Sequence, residues 1–561
     1  MRRLLPLSVL LIILGSVHSV LAQSSTAGQS SAQPPDQSTV QPTGQTNGQP
    51  TGQTGAQPTD QTNPPPTDQT NPQPTDQAPT PNPSGAAGTA GNPTPADPNA
   101  QQPAQNPTPR PAAPTPGVRS AGIAISDKVT MGGYGSVRYE TNSLHEPKPA
   151  GFDFRRFVLT TDATPNDRLQ AYIEVEFERL GEIEVERALE RTPVGTAFVE
   201  DLEGGNGGEV SIEQMWGQFK FSDPFSVRFG QVLVPLGRFN INHDDDRWNI
   251  PRRTLVDRNV PIIPVKAAWT ELGVGFVGSR PVGKNGQLTY QAYVLNGATI
   301  DFAVEKAVES EANEPGVIKL ASEFSLGRGP VNGEGGVRAG GWRLMYSPNL
   351  NYEIAVSNYE GGYTPDFFEP SDAHLSAWGV DGLFKHKTFA LEGEWIHTHF
   401  GDLAGVENAF ITAVTGSTGI APLPGAEGTE AEFALKNLSP NRQGFWLEGR
   451  YGFWPKKWTK NTLAKGFEDP QLIWVVRFER ATVKDLVDEI SIENGEISTD
   501  EPQTLRQERF TVGLAYRPIQ SVVFSIAMEH NRRLEGDVLL FPFGQPSQAY
   551  TSLLAGLAFG F

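Results

Sequence analysis

Apolar and polar residues alternate strictly in many separate segments of this chain. In residues 169–178, LQAYIEVEFE, every second residue from Leu169 to Phe177 is apolar, and three of the intervening positions are glutamates. The same alternation occurs in residues 225–234, 444–453 and 509–517. Side chains alternate between the two faces of a β-strand, and about ten residues at a tilt of about 45° cross a bilayer. The pattern therefore predicts long strands with one apolar and one polar face.

Sixteen such strands can be placed along residues 121–561. They lie near residues 128–141, 152–162, 168–178, 211–221, 225–234, 271–279, 287–295, 337–347, 351–358, 374–385, 388–399, 442–453, 471–482, 506–517, 521–532 and 550–561. Tight turns such as 518–520 alternate with long connections such as 400–441. Barrels of the outer membrane sort their connections in this way, whereas soluble sandwiches and propellers do not. The sequence predicts an all-β fold, a transmembrane antiparallel β-barrel of 16 strands that is surrounded by outer-membrane lipid.

The last predicted strand, YTSLLAGLAFGF, closes this arrangement. Its large apolar residues fall on one face, and Leu557, Phe559 and Phe561 are the last of them. We expect this strand to pair with the first. Barrels of this class are known to present a terminal aromatic residue to the outer-membrane insertion machinery, so these three residues are the candidate barrel-closing signal and that machinery is an expected partner.

The first residues, MRRLLPLSVLLIILGSVHSVLA, have the pattern of a secretory signal peptide. Arg2 and Arg3 precede an apolar run, and small residues end at Ala22, which predicts cleavage after residue 22. The run is shorter than the ~20 residues of a spanning helix, which disfavours the alternative of a membrane anchor. The expected location is the cell outer membrane of a Gram-negative-type bacterium. Cysteine is absent, which excludes disulfides and thiolate metal sites.

Residues 23–120 consist almost wholly of Pro, Gln, Thr, Ser, Gly, Asn and Ala. A four-residue unit, PTGQ or PTDQ, recurs five times at a spacing of eight residues from Pro42 to Pro74. Such a segment has too little apolar surface to offset its ordering entropy, so we expect a disordered linker. A periplasmic tether is the expected role, and peptidoglycan binding is the alternative.

Charge and motifs exclude several classes of function. The net charge of −19 argues against a nucleic-acid partner. No G-x-S-x-G, H-E-x-x-H or P-loop pattern is present. His397 and His399 share a strand face but suit a barrel rim better than a metal site, and the run Asp244–Asp246 lacks the glycine and distal glutamate of a calcium loop. We expect no catalytic residues, no cofactor, no metal and no enzymatic activity.

Four blocks of this sequence resemble a known family. GFDFRRFVLTTDATPNDRLQAYIEVEF (151–177), VRFGQVLVPLG (227–237), TLVDRNVPIIPVKAAWTELGVGFVG (254–278) and YQAYVLNG (290–297) are similar, in order, to recurring blocks of the phosphate-selective porin O and P family. The resemblance implies a 16-stranded, usually homotrimeric channel. It also implies that the third extracellular loop, here residues 235–270, folds inward to form the constriction.

Charged residues of the third loop and of the inward strand faces are the candidate site. The pore-constriction or ion-binding candidates are Arg238, Arg247, Arg252, Arg253, Arg258, Lys266, Asp244, Asp245 and Asp246. By strand parity, the lumen-facing candidates are Arg156, Lys220, Arg228, Glu174, Glu176, Arg450, Arg477 and Arg509. Cationic rings attract anions and carboxylate rings attract cations, whereas a mixed ring orients dipolar solutes without choosing a sign.

Residues 181–192, in the second loop, are expected to form a short helix.

The sequence predicts an outer-membrane porin for passive diffusion of small hydrophilic solutes and ions, with anions such as phosphate as one choice of solute. Family members selective for phosphate usually have a lysine in the block that reads GQVLVPLG here, where this chain has Leu233. A general or weakly selective channel is therefore favoured. One alternative is a structural or adhesive barrel held by the tether, with its lumen plugged by the 235–270 and 400–441 loops. The other is a barrel enzyme with a Ser–His pair or a metal cluster.

Overall fold

The computed structural model of the chain describes most residues from 122 onward. These are residues 122–144, 150–179, 183–192, 195–204, 209–257, 262–263, 265, 268–307, 317–329, 338–364, 373–406, 428–434, 439–458, 461, 463–467, 469–487, 489–493, 496–499, 501–542 and 544–561. The predicted signal peptide (1–22) and linker (23–120) lie outside the described residues. Among those that are described, no helix is long and apolar enough to cross a membrane.

Sixteen long strands form one closed sheet. They are β1 (Val129–Asn142), β2 (Gly151–Asn166), β3 (Leu169–Glu178), β4 (Glu209–Ser222), β5 (Phe225–Leu233), β6 (Thr270–Val282), β7 (Gly286–Leu295), β8 (Ala339–Asn349), β9 (Tyr352–Gly362), β10 (His374–His386), β11 (Phe389–Phe400), β12 (Asn441–Phe453), β13 (Gln471–Leu486), β14 (Gln503–Ile519), β15 (Val522–Glu535) and β16 (Ala549–Gly560). Each pairs antiparallel with its sequence neighbours, and β16 pairs with β1, with Leu557 opposite Val137. The predicted all-β barrel of 16 strands is confirmed, with every strand within a few residues of its expected position.

The two rims of the barrel differ in the length of their connections. At the rim where β1 begins, six of the seven connections contain two or three residues, and the seventh is residues 454–470. The opposite rim has the long connections, among them 179–208, 234–269, 296–338 and 401–440. We call these the short rim and the long rim.

Connections of the long rim form further strands. The segments Thr299–Ala307, Val317–Gly327, Gly428–Ala434, Glu489–Glu493 and Glu496–Thr499 make a five-stranded sheet, in that order. In it, Val317–Gly327 and Gly428–Ala434 run parallel. The second long connection is a hairpin of Ile183–Thr192 and Gly195–Gly204. The helix expected over residues 181–192 is therefore wrong: backbone pairing across this hairpin outweighs a local pattern that suits either structure.

The outer face of the barrel is apolar between two aromatic belts. Near the short rim the belt contains Phe221, Phe225, Tyr352, Phe384, Tyr451, Phe453, Tyr516 and Phe524. Near the long rim it contains Tyr139, Phe152, Trp342, Trp378, Phe445 and Phe478. Exposed aliphatic residues such as Ile354, Val476 and Ile526 lie between the belts. An apolar band flanked by aromatic girdles is the outer surface of a barrel that crosses a bilayer.

The barrel interior is filled in part by the connection between β5 and β6. Its described residues 234–257 include a short helix, α1 (Arg238–Ile241), and a 3-10 turn, Asp245–Arg247. We call residues 234–257 the inner loop. Its apolar side chains join one large buried cluster with residues of the barrel wall such as Trp216, Tyr359 and Trp446.

Candidate functional site: the inner loop and the charged barrel wall

The inner loop leaves the barrel wall through a glycine turn. Gly237 has φ +70°, and a Cβ at this position would lie 2.1 Å from Oε1 of Glu394 on β11. The Gly237 backbone N–H donates to Oγ of Ser357 at 3.0 Å, and the N–H of Phe239 donates to Glu394 Oε2 at 2.8 Å. Glycine is required because the backbone is left-handed and close to a buried carboxylate. The turn directs α1 into the lumen.

Aromatic rings hold one side of the inner loop against β12. Phe239 stacks on Trp248 with ring centroids 4.4 Å apart, and Trp446 meets Trp248 edge-on at 5.6 Å. The indole N–H of Trp446 donates to Glu394 Oε2 at 3.1 Å. Aromatic contacts of this kind add about 0.5–1.5 kcal/mol each beyond the area they bury. This side of the loop therefore packs like a protein core.

A chain of alternating charges crosses four neighbouring strands beneath the loop. Its members, from α1 and then from β11 to β14, are Arg238, Glu392, Arg450, Glu448, Arg477, Glu479 and Arg509, which we call the charged belt. Arg477 Nη2 lies 2.5 Å from Glu448 Oε2, and Arg477 Nη1 lies 3.6 Å from Glu479 Oε1. These three side chains have no exposed surface. Each charge is thus placed between charges of the opposite sign, which offsets part of its desolvation cost.

A second group of ion pairs fixes the 3-10 turn to β1 and β2. Oδ2 of Asp245 accepts a hydrogen bond from Ser136 Oγ at 2.7 Å and lies 3.5 Å from Arg156 Nε. Arg253 Nε lies 3.6 Å from the other oxygen of Asp245. Burial raises the pKa of the Asp245 carboxyl, but the guanidinium groups of Arg156 and Arg253 outweigh burial and hold that pKa well below its usual range. The two arginines therefore favour the anionic form of Asp245.

Arginines also anchor the far side of the inner loop. Arg252 contacts Glu140 of β1 and, through Nε, lies 2.5 Å from Glu529 Oε2 of β15. Arg517 of β14 donates from Nη2 to the backbone oxygens of Asp246 at 2.9 Å and Trp248 at 3.0 Å. The loop is thus held to β1, β14 and β15 as well as to β12. A cavity of about 20 Å³, room for about one water, remains beside Asp245 and Arg252.

The structure brings together most of the candidate residues named from the sequence. Ten of them are buried inside the barrel, namely Arg156, Glu174, Glu176, Arg238, Asp244, Asp246, Arg252, Arg253, Arg477 and Arg509. Asp245 and Arg450 lie in the same group with side chains that are 14% and 18% exposed. Arg247 is at the edge, with its side chain 33% exposed and paired with Asp244. Arg258 and Lys266 lie outside the described residues.

Two lumen candidates lie away from this group. Arg228 donates to Gln218 Oε1 and to the Tyr293 hydroxyl, and its guanidinium lies 3.8 Å from the ring centroid of Trp216. The Lys220 side chain is 44% exposed at the short rim and pairs with Asp223 of the adjacent turn at 2.8 Å. Among the described residues, no hydrogen bond, ion pair or ring contact joins either side chain to the inner loop.

The three residues expected to close the barrel, Leu557, Phe559 and Phe561, lie on the outer face at the short rim. Phe559 and Phe561 are both 40% exposed, and Leu557 is half-buried. Phe561 and Gly133 exchange backbone hydrogen bonds of 3.0 and 3.1 Å, and Phe561 stacks on Phe157. The last residue therefore completes the seam between β16 and β1.

The strict alternation of the sequence did not identify Glu213 as an inward-facing residue. A β-bulge in β4, opposite Glu174 and Val175 of β3, places both Glu213 and Gln214 inside the barrel. A bulge inserts one extra residue and re-aims its side chain. The adjacent polar pair Glu213–Gln214, which interrupts the alternation of residues 211–221, is the signal that marks it in the sequence.

Comparison with known proteins gives weak similarities. No family model matches the chain. A stretch of 169 residues is 27% identical to an uncharacterized protein of Aquifex aeolicus; it covers 30% of this chain and 32% of that protein, so the chain spans about a third of the relative it matches. OmpT, an outer membrane protein of Vibrio cholerae, covers 79% of this chain and 100% of its own, with a TM-score of 0.39 and 10% identity. The anion-selective porin from Comamonas acidovorans covers 77% and 99%, with a TM-score of 0.40 and 10% identity.

Proposed function

We propose that this protein is an outer-membrane porin that passes small hydrophilic solutes and ions by passive diffusion through a narrow, charge-lined lumen. The charged belt is the observation that carries the proposal. Ionisable side chains at membrane depth are costly and mark pathways of ions or polar solutes. Buried ion pairs are also weak stabilisers compared with an apolar core, so a barrel that served only as an anchor would gain nothing from them.

The location and assembly follow from the same proposal. The apolar band between two aromatic belts supports an outer-membrane location. The four sequence blocks that resemble the phosphate-selective porin O and P family support a homotrimer, with the long rim outside the cell. Chemical cross-linking of the detergent-folded protein tests the trimer.

We further propose that the channel has weak charge selectivity. The belt contains four arginines and three glutamates, each paired with the next. Paired charges of both signs produce a transverse field rather than a net potential, so the lumen orients dipolar solutes but favours neither anions nor cations strongly. Leu233, at the position of the family lysine, is 6% exposed and supplies no charge. Phosphate specificity is therefore not part of the proposal.

The test is the reversal potential in a KCl gradient across a planar bilayer that contains the purified full-length protein. The proposal predicts current that reverses near zero millivolts and is unaffected by added phosphate. Reversal close to the chloride potential, with block by phosphate, would replace weak selectivity by anion specificity. The same recording identifies a cation-selective channel by reversal at the potassium potential.

A second candidate function is a structural barrel whose lumen the inner loop seals. The observation in its favour is the large apolar cluster formed by the loop and the wall, with Phe239, Trp248 and Leu255 buried in it. This candidate predicts no current at all from trimers that are shown to be folded. A measurable single-channel current excludes it.

A further inference from the structure

We propose that Glu174, Glu213 and His243 bind one divalent transition-metal ion, which links the inner loop to the barrel wall at β3 and β4. One ligand atom from each of these residues lies within 4.8 Å of the others. All three side chains are buried, at 1%, 0% and 2% exposure. The inference concerns the wall of the lumen and is independent of whether the lumen conducts.

The histidine is oriented as a metal ligand. Nδ1 of His243 lies 2.9 Å from the backbone oxygen of Asn240, to which it donates, so Nε2 is the ring nitrogen directed at Glu213. Histidines that bind metals generally donate their other ring N–H to a carbonyl or carboxylate, which fixes the tautomer. The carbonyl of Asn240 has this role here.

The distances suit coordination. Nε2 of His243 lies 3.0 Å from Glu213 Oε2. Two donor atoms that are each about 2.1 Å from one metal ion lie about 3.0–3.4 Å apart. Without a metal, a proton on Nε2 would have to lie between this nitrogen and the anionic oxygen, and a metal ion bound by both atoms takes the place of that proton.

Two carboxylates share one imidazole in this cluster, and one carboxylate oxygen has no hydrogen-bond partner among the described residues. Oε1 of Glu213 is buried and accepts no hydrogen bond. Glu174 Oε2 accepts hydrogen bonds from two neutral donors, the Gln214 amide and the Tyr172 hydroxyl. Glu176 is within hydrogen-bonding reach of Glu213 when its carboxyl is protonated, and it also contacts Arg156 at 2.7 Å. A buried carboxylate oxygen without a partner is costly, and a divalent cation bound at this place would satisfy it.

The ligand chemistry narrows the class of metal. One imidazole and two carboxylates, in a chain without cysteine, suit Zn²⁺, Co²⁺, Mn²⁺ or Fe²⁺, whereas Ca²⁺ and Mg²⁺ prefer oxygen ligands alone. Asp244 is a further nearby carboxylate, with Oδ1 3.7 Å from His243 Nε2. Sequence analysis could not find this site because its residues come from two strands and a loop, and because Glu213 is placed by the bulge.

The test is Zn²⁺ binding by the tag-free, detergent-folded full chain. We expect one Zn²⁺ per chain by calorimetry and by elemental analysis after dialysis. Glu213→Gln and Glu174→Gln, which keep the side-chain size, should each weaken binding at least tenfold. His374→Asn is the matched control, because it removes an exposed His–Glu pair, His374 Nε2 to Glu360 Oε2 at 2.7 Å, and should leave Zn²⁺ binding unchanged.

A second measurement keeps the proposal testable if the variants do not fold. X-ray absorption at the zinc edge of the wild-type protein should show one imidazole nitrogen and only oxygen donors besides it. Absence of stoichiometric Zn²⁺ in the wild type, or binding that is equal in Glu213→Gln and wild type, would overturn the proposal. The cluster would then be an imidazolium–carboxylate pair beside a protonated carboxyl.

Discussion

Arg477 is the residue on which the charged belt most depends. It lies between Glu448 and Glu479, and none of the three side chains is exposed. Replacing Arg477 by Met leaves two buried carboxylates without their shared partner, which should lower the free energy of unfolding by ~3 kcal/mol. Equilibrium unfolding in urea in the presence of lipid vesicles measures this change.

The control for this substitution is an exposed pair at the long rim. Arg506 Nη2 lies 3.0 Å from Glu535 Oε2, and both side chains are more than a third exposed. Exposed pairs contribute ~0–1 kcal/mol, so Arg506→Met should change stability little. Equal effects of the two substitutions would mean that water in the lumen hydrates the belt and that its charges are not desolvated.

At the scale of single residues, the alternation of the sequence predicted which side chains face inward but not which side chains contact one another. Arg156, Glu176, Arg477 and Arg509 were assigned to the inward face from alternation alone, and all four are buried inside the barrel. Alternation is a local property of the strand and needs no knowledge of its neighbours. The pairing of arginines with glutamates depends on the register between strands and on the path of the loop. A local pattern of alternation determines neither.

Among the elements, the inner loop lies inside the barrel, and the turn at Gly237 directs it there. A Cβ on Gly237 would meet Glu394 Oε1 at 2.1 Å and Ile396 Cδ1 at 2.9 Å. Glu394 is unable to move aside without losing its hydrogen bonds from Phe239 N and Trp446 Nε1. Gly237→Ala should therefore displace α1, lower stability and change the single-channel conductance.

Gly283 provides the matched control. It also has a left-handed backbone, φ +65°, but a Cβ there meets no atom within 4 Å. Gly283→Ala should cost ~1 kcal/mol from backbone strain alone and leave conductance unchanged. If Gly237→Ala also costs only ~1 kcal/mol and leaves the conductance unchanged, the close approach of Gly237 to Glu394 does not direct the loop.

The elements themselves differ in how far the sequence predicts them. All sixteen barrel strands were expected from alternation and turn spacing, because two- or three-residue turns leave only one possible pairing. The sheet at the long rim was not expected. Its parallel pair, Val317–Gly327 with Gly428–Ala434, joins segments separated by about a hundred residues, and no turn signal connects them.

On the scale of the whole molecule, an apolar outer surface encloses a polar and partly packed interior. The strand face that is exposed to lipid contains Ile354, Val476 and Ile526, whereas the opposite face contains the charged belt. The inner loop is fixed to β12 by the ring contact of Trp248 with Trp446, and to β1, β14 and β15 through Arg252 and Arg517. The central claim is that this loop narrows a conducting barrel.

The measurement that tests this claim most directly is the single-channel conductance of the wild type beside a variant in which a short Gly–Ser linker replaces residues 238–257. The replacement removes α1, the 3-10 turn and their ion pairs but no barrel strand. We predict a small conductance for the wild type and a several-fold larger one for the variant. A silent wild type beside a conducting variant would contradict the claim and show that the loop seals the barrel.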